Sequence, residues 1–386
     1  MANFFSKFYL QSELPGGVAA LYTNRLIQQI AGGLLGLFLP VFLFQKYQSI
    51  NLVLLFYLVS FGVYLFLAAP GAMLASRLTF KRALIISVFG GAVYYFSFYL
   101  FDYNILFFSI LALLAVNFDR MFYWVPYHSG FAKFTDKKTR GRTIAVLSSV
   151  ASLIGVALPV IAGFIITQHG FNILFLAVML IYFSSIIPFF VIPSINECYT
   201  FGYRQTWQLL FHPRDRKILF TYMAAGAEDV IGFAIWPIFI WQIFAGDYQA
   251  VGLVSSAIIL VTILLRLVIG RYADRFDKKK LLRYGTVLYS LGWVVKIFVQ
   301  TGFQIFIAST YHNFATIAMQ TPFDTLMYEK AADAGHYVDE YTVLREMALS
   351  IGRLAMILIL LGLLNFFGLN YAFILAAVAA LFINFI

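Results

Sequence analysis

Charge is what this chain lacks. Only 11% of its 386 residues are charged and 62% are hydrophobic, where a soluble domain carries about 25% charged residues. That balance excludes an ordinary soluble globule. Apolar runs long enough to cross a bilayer follow one another along the whole length, so many transmembrane helices are expected. The runs are continuous rather than alternating, which argues against a β-barrel. Cysteine is nearly missing too. Cys198 stands alone, which excludes an intramolecular disulfide and any Cys-based metal cluster. The chain has no P-loop, no nucleophile elbow and no tight spacing of metal ligands, so no enzyme activity, cofactor or metal is expected. The N-terminus has no basic stretch followed by an apolar one, and no cleaved signal peptide is expected. Phe4, Phe5, Phe8 and Tyr9 instead recur at helical spacing and predict a short helix lying on the membrane surface.

What is present can be counted as twelve spans. They run roughly over 18–45, 50–74, 81–101, 104–127, 142–167, 171–193, 217–245, 250–270, 280–300, 302–327, 343–366 and 369–386. The fold class is therefore an all-α membrane protein. The basic residues fix its orientation. Arg77, Lys81, Arg82, Lys133, Lys137, Arg140, Arg204, Arg214, Arg271, Arg275, Lys278, Lys330 and Arg345 all fall at one set of span ends, and the opposite set carries only Lys46. Both termini are then cytoplasmic, in the cell membrane. The net charge of +10 is a topology signal, so nucleic acid is not an expected partner.

A repeat organises the spans. The stretch Ala115–His128 carries Asn117, Phe118, Pro126 and Tyr127, which recur as Asn313, Phe314, Pro322 and Phe323, 196 positions later. Pro40, Phe42 and Gln45 match Pro237, Phe239 and Gln242, 197 apart, and Ala75, Arg77 and Lys81 match Ala273, Arg275 and Lys279, 198 apart. Ser152 and Gly155 likewise match Ser350 and Gly352. The copies are six spans apart, an even number, so the halves have parallel orientation. The domains are expected at 1–193 and 217–386, each a six-helix bundle, joined by a cytoplasmic linker at 194–216. Such paired bundles are used by secondary transporters.

The loop Gly270-Arg-Tyr-Ala-Asp274-Arg275-Phe-Asp277-Lys278-Lys279-Lys280 resembles the loop motif of the major facilitator superfamily, Gly-x-x-x-Asp-Arg-x-Gly-Arg/Lys-Arg/Lys. Asp277 stands where that family has Gly. In the first-half copy Ser76 replaces the acid and Thr79 the Gly, while Arg77, Lys81 and Arg82 remain. Gly155–Gly163 looks like the family's antiporter motif with Leu158 and Ala162 replacing two glycines, and Arg120 falls where many members carry an Arg. The resemblance implies two pseudo-symmetric bundles rocking about a central cavity lined by spans one, four, seven and ten. It also implies a cytoplasmic gate that uses Arg77, Asp274 and Arg275.

Charges left in hydrocarbon are costly and are usually functional. Arg25 in span one shares a face with Gln28 and Gln29 by helical spacing. Asp119 and Arg120 are adjacent in span four, about 100° apart around the helix, so they face different ways. The repeat has Ala315 and Thr316 at those positions, which separates scaffold from function. Arg25 is expected to pair with Asp119 across the cavity. Glu228 and Asp229 in span seven are candidate proton carriers, His312 in span ten is a candidate ligand or relay, and Arg353 in span eleven can neutralise either acid. Lys296 lies near a span end and is expected to snorkel outward. His128 and Asp324 are read as gate or loop contacts, and Tyr123, Trp124, Trp236 and Trp241 as possible stacking surfaces. The expected activity is alternating-access transport of a small polar or amphipathic organic solute, coupled to protons or another ion, by a monomer in the lipid bilayer. Drug or metabolite export by proton antiport, or lipid flipping by the same fold, are the alternatives.

Overall fold

The computed structural model describes residues 16–134, 140–192, 199–273, 278–333 and 338–385. The described residues are almost entirely helical. The helices are α1 (Gly16–Leu35), α2 (Leu39–Tyr47), α3 (Ile50–Arg77), α4 (Phe80–Tyr99), α5 (Ile105–Phe134), α6 (Arg140–Ser184), α7 (Tyr203–Leu210), α8 (Arg216–Val230), α9 (Trp236–Ile243), α10 (Tyr248–Ala273), α11 (Lys278–Lys296), α12 (Gly302–Asp333), α13 (Val338–Leu363) and α14 (Ala372–Phe382). They form twelve crossings. α1 and α2 make one span bent by 41°. α6 makes two spans around Gly170, whose φ of 79° only glycine adopts freely. α8 and α9 make one span through a π segment, Ile231–Ile235. The helix ends fall within a few residues of the expected edges for most spans. The linker folds a helix of its own, α7, whose Thr206 and Leu210 are buried. The N-terminal surface helix lies outside the described residues.

Among the described residues, seven helical stretches are long and apolar enough to cross a membrane. α11 and α12 fall short because they carry polar side chains, and the reason is visible in the packing. Lys296, His312, Ser309 and Glu228 are buried inside the protein, while Phe66, Leu106, Leu114, Phe164 and Leu180 are exposed on its outside. Apolar surface facing outward with polar groups inside is the reverse of a soluble globule and fits a hydrocarbon solvent.

The repeat is legible in the coordinates. Pro cannot donate the helical hydrogen bond four residues back. Pro40 and Pro237 sit just after the two breaks, the bend between Leu35 and Leu39 and the π segment before Trp236. The turns that follow repeat as well. Gln48 and Ala245, 197 apart, both take left-handed φ, 54° and 49°.

The two bundles pack through α3 against α13 and through α6 against α10. The second seam is close because it is built on glycine. A Cβ on Gly163 would lie 2.3 Å from the Tyr248 carbonyl, and one on Gly252 would lie 2.4 Å from that of Pro159. The end of the molecule carrying Lys46 is closed across both seams. Gln45 Nε2 donates to Tyr248 Oη. Phe38 and Phe171 pack edge-on against the Tyr248 ring, and Phe44 against Trp241. Asn51 Nδ2 donates to Asn365 Oδ1 at 2.7 Å. Lys46 itself pairs with Asp102.

At the basic end the linker touches both bundles. Tyr199 N–H donates to Ser76 Oγ at 2.8 Å, and Thr200 donates from its N–H and its Oγ1 to Glu340 Oε1 at 2.8 and 2.6 Å. Ser76, where the loop motif has an acid, therefore accepts from the linker backbone. Burial pushes the Tyr199 hydroxyl up to about 12, and it stays protonated against Thr206 Oγ1.

Candidate functional site

A cavity of about 800 Å³ lies between the bundles and extends toward the basic end. α1 and α5 bring two guanidinium groups to it, Arg25 and Arg120. Arg25 lies over the rings of Trp124 and Tyr127, at 5.1 and 6.0 Å. Arg120 Nη1 donates to Ser60 Oγ at 3.0 Å, and its guanidinium covers Phe61 at 4.9 Å and Tyr64 at 5.7 Å. Among the described residues neither arginine has a carboxylate within ion-pairing distance. Aromatic faces stabilise a cation by roughly 0.5–2 kcal/mol, less than a buried guanidinium gains from a bidentate carboxylate. Both groups therefore retain donors for an acid that arrives from outside.

The second bundle supplies the acids. Asp229 Oδ2 accepts from Arg353 Nη2 at 2.9 Å and is the half-exposed member of that pair. Arg353 also lies over Phe61, at 4.8 Å, so one ring of the first bundle is approached by a guanidinium from each bundle. Phe233, on the π segment, packs edge-on against Tyr57 and Phe61 at 5.1 and 5.8 Å. Glu346 pairs with its neighbour Arg345 at 3.3 Å beside the same cavity. Glu228, one residue from Asp229, turns the other way around α8. Its Oε1 accepts from Tyr289 Oη at 2.7 Å and from Trp293 Nε1 at 3.0 Å. Two donors on a carboxylate buried in α11 contacts hold it without a directly bonded cation.

A second cavity, of about 580 Å³, continues from the first on the Lys46 side. Glu228, Asp229, Phe233, Tyr289 and Thr316 line both. His312 lines the second, with its ring 4.4 Å from that of Tyr289 and 4.7 Å from that of Trp293.

Several expectations need correction. Asp119 does not pair with Arg25 and lines neither cavity. It accepts from Tyr182 Oη at 3.0 Å inside the first bundle, beside Gly90 of α4. The cause is the 100° step of the helix: Arg120 takes the cavity face and Asp119 the face behind it. Gln28 is buried with Nε2 unpartnered and Gln29 is exposed, and neither lines a cavity. The buried Asn24 does the connecting work instead, donating to the Ser185 carbonyl and accepting from Tyr123 Oη. Lys296 does not snorkel. It is 3% exposed and lies over Trp293 at 3.8 Å and Trp236 at 4.4 Å. Its spacing from Tyr289 and Trp293, seven and three residues, was the available signal, because it puts all three on one inward face of α11. Arg77 is exposed at the end of α3. Asp274, Arg275 and Asp324 lie outside the described residues and side chains, so the gate expected of them does too.

The comparisons agree with this architecture. The family model for the Major Facilitator Superfamily matches residues 21–215 and 218–386. YqgE of Bacillus subtilis (strain 168), described as an uncharacterized protein, is 26% identical over 276 residues, 64% of this chain and 59% of that protein's own length. The solved fold of the E. coli fucose:proton symporter FucP superposes with a TM-score of 0.67 at 14% identity, covering 95% of this chain and 96% of that one. A FucP structure in the outward conformation gives 0.68 at 12%, with the same coverage of 95% and 96%. The peptide transporter POT, in complex with alafosfalin, gives 0.65 at 11%, covering 96% and 93%. At such identities the likeness is one of fold. The chain belongs to the Major Facilitator Superfamily.

Proposed function

We propose that this protein carries a small organic solute bearing an acidic group across the cell membrane, by alternating access to the cavity between its bundles. The observation that carries the reading is the pair Arg25 and Arg120. Two cations line one cavity, and among the described residues neither has a carboxylate to neutralise it. An entering carboxylate relieves that imbalance, and Trp124, Tyr127 and Tyr64 offer its organic body flat apolar faces. The bundles are residues 1–193 and 217–386, with residues 194–216 as linker, and both termini face the cytoplasm. On that orientation the Lys46 end is extracellular, and its closure by Gln45–Tyr248 and Asn51–Asn365 makes this an inward-facing arrangement.

Asp229 is the favoured coupling group. It is half-exposed to the cavity and held by one arginine, so a proton or the solute can compete with Arg353 for it. Glu228 is the second acid on the same path. Uptake of labelled small acids into liposomes containing the purified monomer, with and without an imposed pH gradient, tests both parts. Acid uptake that is accelerated by the gradient is expected. Identical uptake in both conditions removes the coupling, and no acid uptake at all removes the solute class.

A further inference from the structure

The linker helix α7 carries an outer surface that transport through the cavity leaves unused. Its side chains fall into three stripes, because positions four apart share a face of a helix. Thr206 and Leu210 are buried against the protein. Tyr203 and Trp207, with Phe211 just beyond the helix end, form an aromatic stripe, and the rings of the first two lie 6.4 Å apart. Tyr203 is 41% exposed and Phe211 62%. Arg204 and Gln208 make an exposed polar stripe. An aromatic stripe beside a polar one, both facing outward, is the pattern of a helix that lies in a membrane surface.

The stripe runs onto the hydrocarbon-facing surface of the bundles. α7 packs against α3 and α13. Tyr199 N–H fastens the linker to Ser76 near the basic end of α3. Trp207 then lies 5.6 Å from the ring of Phe66, which is 57% exposed on the outside of α3. Phe66 is ten positions from Ser76, about 15 Å along the helix axis. The headgroup region of one leaflet is only about 5–8 Å thick, so Trp207 stands at the level of acyl chains. A soluble protein partner cannot reach a stripe at that depth. Between residues 203 and 217 the linker carries four basic side chains, Arg204, Arg214, Arg216 and Lys217, against one acid, Asp215. All four are exposed, and among the described residues none is in an ion pair. Such charge beside an inserted stripe complements anionic headgroups. We propose that α7 docks in the leaflet at the basic end, with Tyr203, Trp207 and Phe211 among the acyl chains and the four basic residues on anionic phospholipid headgroups. The docking also bears on the bundles. Tyr199 and Thr200, just before α7, bond Ser76 of one bundle and Glu340 of the other. A helix already held by the membrane loses less freedom in making that bridge. Anionic lipid therefore favours the arrangement closed at the Lys46 end, whichever solute is carried.

The experiment uses the full chain with Cys198→Ser, in nanodiscs of phosphatidylcholine or of an equal mixture with phosphatidylglycerol. A nitroxide label is attached at Tyr203→Cys or, on the polar stripe, at Gln208→Cys. Its collisions with oxygen and with a water-soluble nickel chelate report depth. The label at 203 is expected to favour oxygen and the label at 208 nickel. Phosphatidylglycerol is expected to lower nickel contact at 203 several-fold further. Arg204→Gln/Arg214→Gln/Arg216→Gln, all at exposed positions, is expected to abolish that lipid dependence. The second readout is the cross-link between Asn51→Cys and Asn365→Cys, which reports closure of the Lys46 end. Its yield is expected to be higher in the mixed lipid, and equal in the two lipids once Ser76→Ala/Glu340→Ala cuts the bridge. Equal nickel contact at the two labels puts α7 in water and overturns the docking. A depth at 203 indifferent to phosphatidylglycerol overturns the role of anionic headgroups. A cross-link yield indifferent to the lipid overturns the link to the bundles.

Discussion

The close seam between α6 and α10 makes a sharp prediction. In Gly163→Ala the new Cβ starts 2.3 Å from the Tyr248 carbonyl oxygen, where ordinary contact begins near 3.4 Å. The obstacle is backbone, so no rotamer change relieves it, and packed helices transmit such strain rather than absorb it. The helices must separate by roughly 1 Å. That separation is enough to break the Gln45–Tyr248 hydrogen bond, about 1 kcal/mol, and one Tyr248 ring contact, about 1 kcal/mol. The closed Lys46 end then loses about 2 kcal/mol, a shift of roughly thirty-fold in the equilibrium between states. Closure is read by cross-linking Asn51→Cys to Asn365→Cys in a Cys198→Ser background, since those side chains meet across the same end at 2.7 Å. Gly163→Ala is expected to cut the cross-link yield sharply. Gly155→Ala, on the same helix with open space around its Cβ, is expected to leave it unchanged. Equal yields in the two variants refute the account of how this end is held shut.

Further outcomes follow from single contacts. Tyr289→Phe removes one of two donors on the buried Glu228 and should destabilise the protein by about 1.5–3 kcal/mol, read by denaturation in detergent. Asp119→Asn keeps an acceptor for Tyr182, so transport should continue at near wild-type rate; complete loss would return Asp119 to the mechanism. Glu340→Gln weakens two hydrogen bonds that fasten the linker and should speed proteolysis near Thr200 without changing solute affinity. Arg353→Gln frees Asp229, and solute uptake in liposomes should then depend less steeply on the pH gradient.

The framework was readable because it repeats. Spacings of 196 to 198 residues carried the paired bundles, and Pro40 and Pro237 carried the breaks, because a missing N–H has the same consequence wherever it occurs. Glu228, Asp229, Arg25 and Arg120 were readable as well, since charge is conspicuous in an apolar run. Direction around a helix was harder. Asp119 and Arg120 were known to face apart, but which of them faced the cavity was decided by α4, where the small Gly90 and Gly91 leave room for Asp119 and Tyr182. The burial of Lys296 is not legible in its distance from a span end. The aromatic side chains of α9 and α11 extend the interior over it, and no local pattern reports that reach. The role of Glu340 is not legible in the sequence, because it needs the linker folded back onto α13.

The claim on which the rest stands is that the central cavity recognises an acid through Arg25 and Arg120. Its most direct test is the stability of the purified protein against a panel of small acids, each beside its uncharged amide and an amine of the same skeleton. The account predicts that the acids stabilise and their amides do not, and that Arg25→Gln/Arg120→Gln removes the effect. Stabilisation by amides or amines equal to that by acids, or an acid response untouched by the double arginine variant, contradicts it.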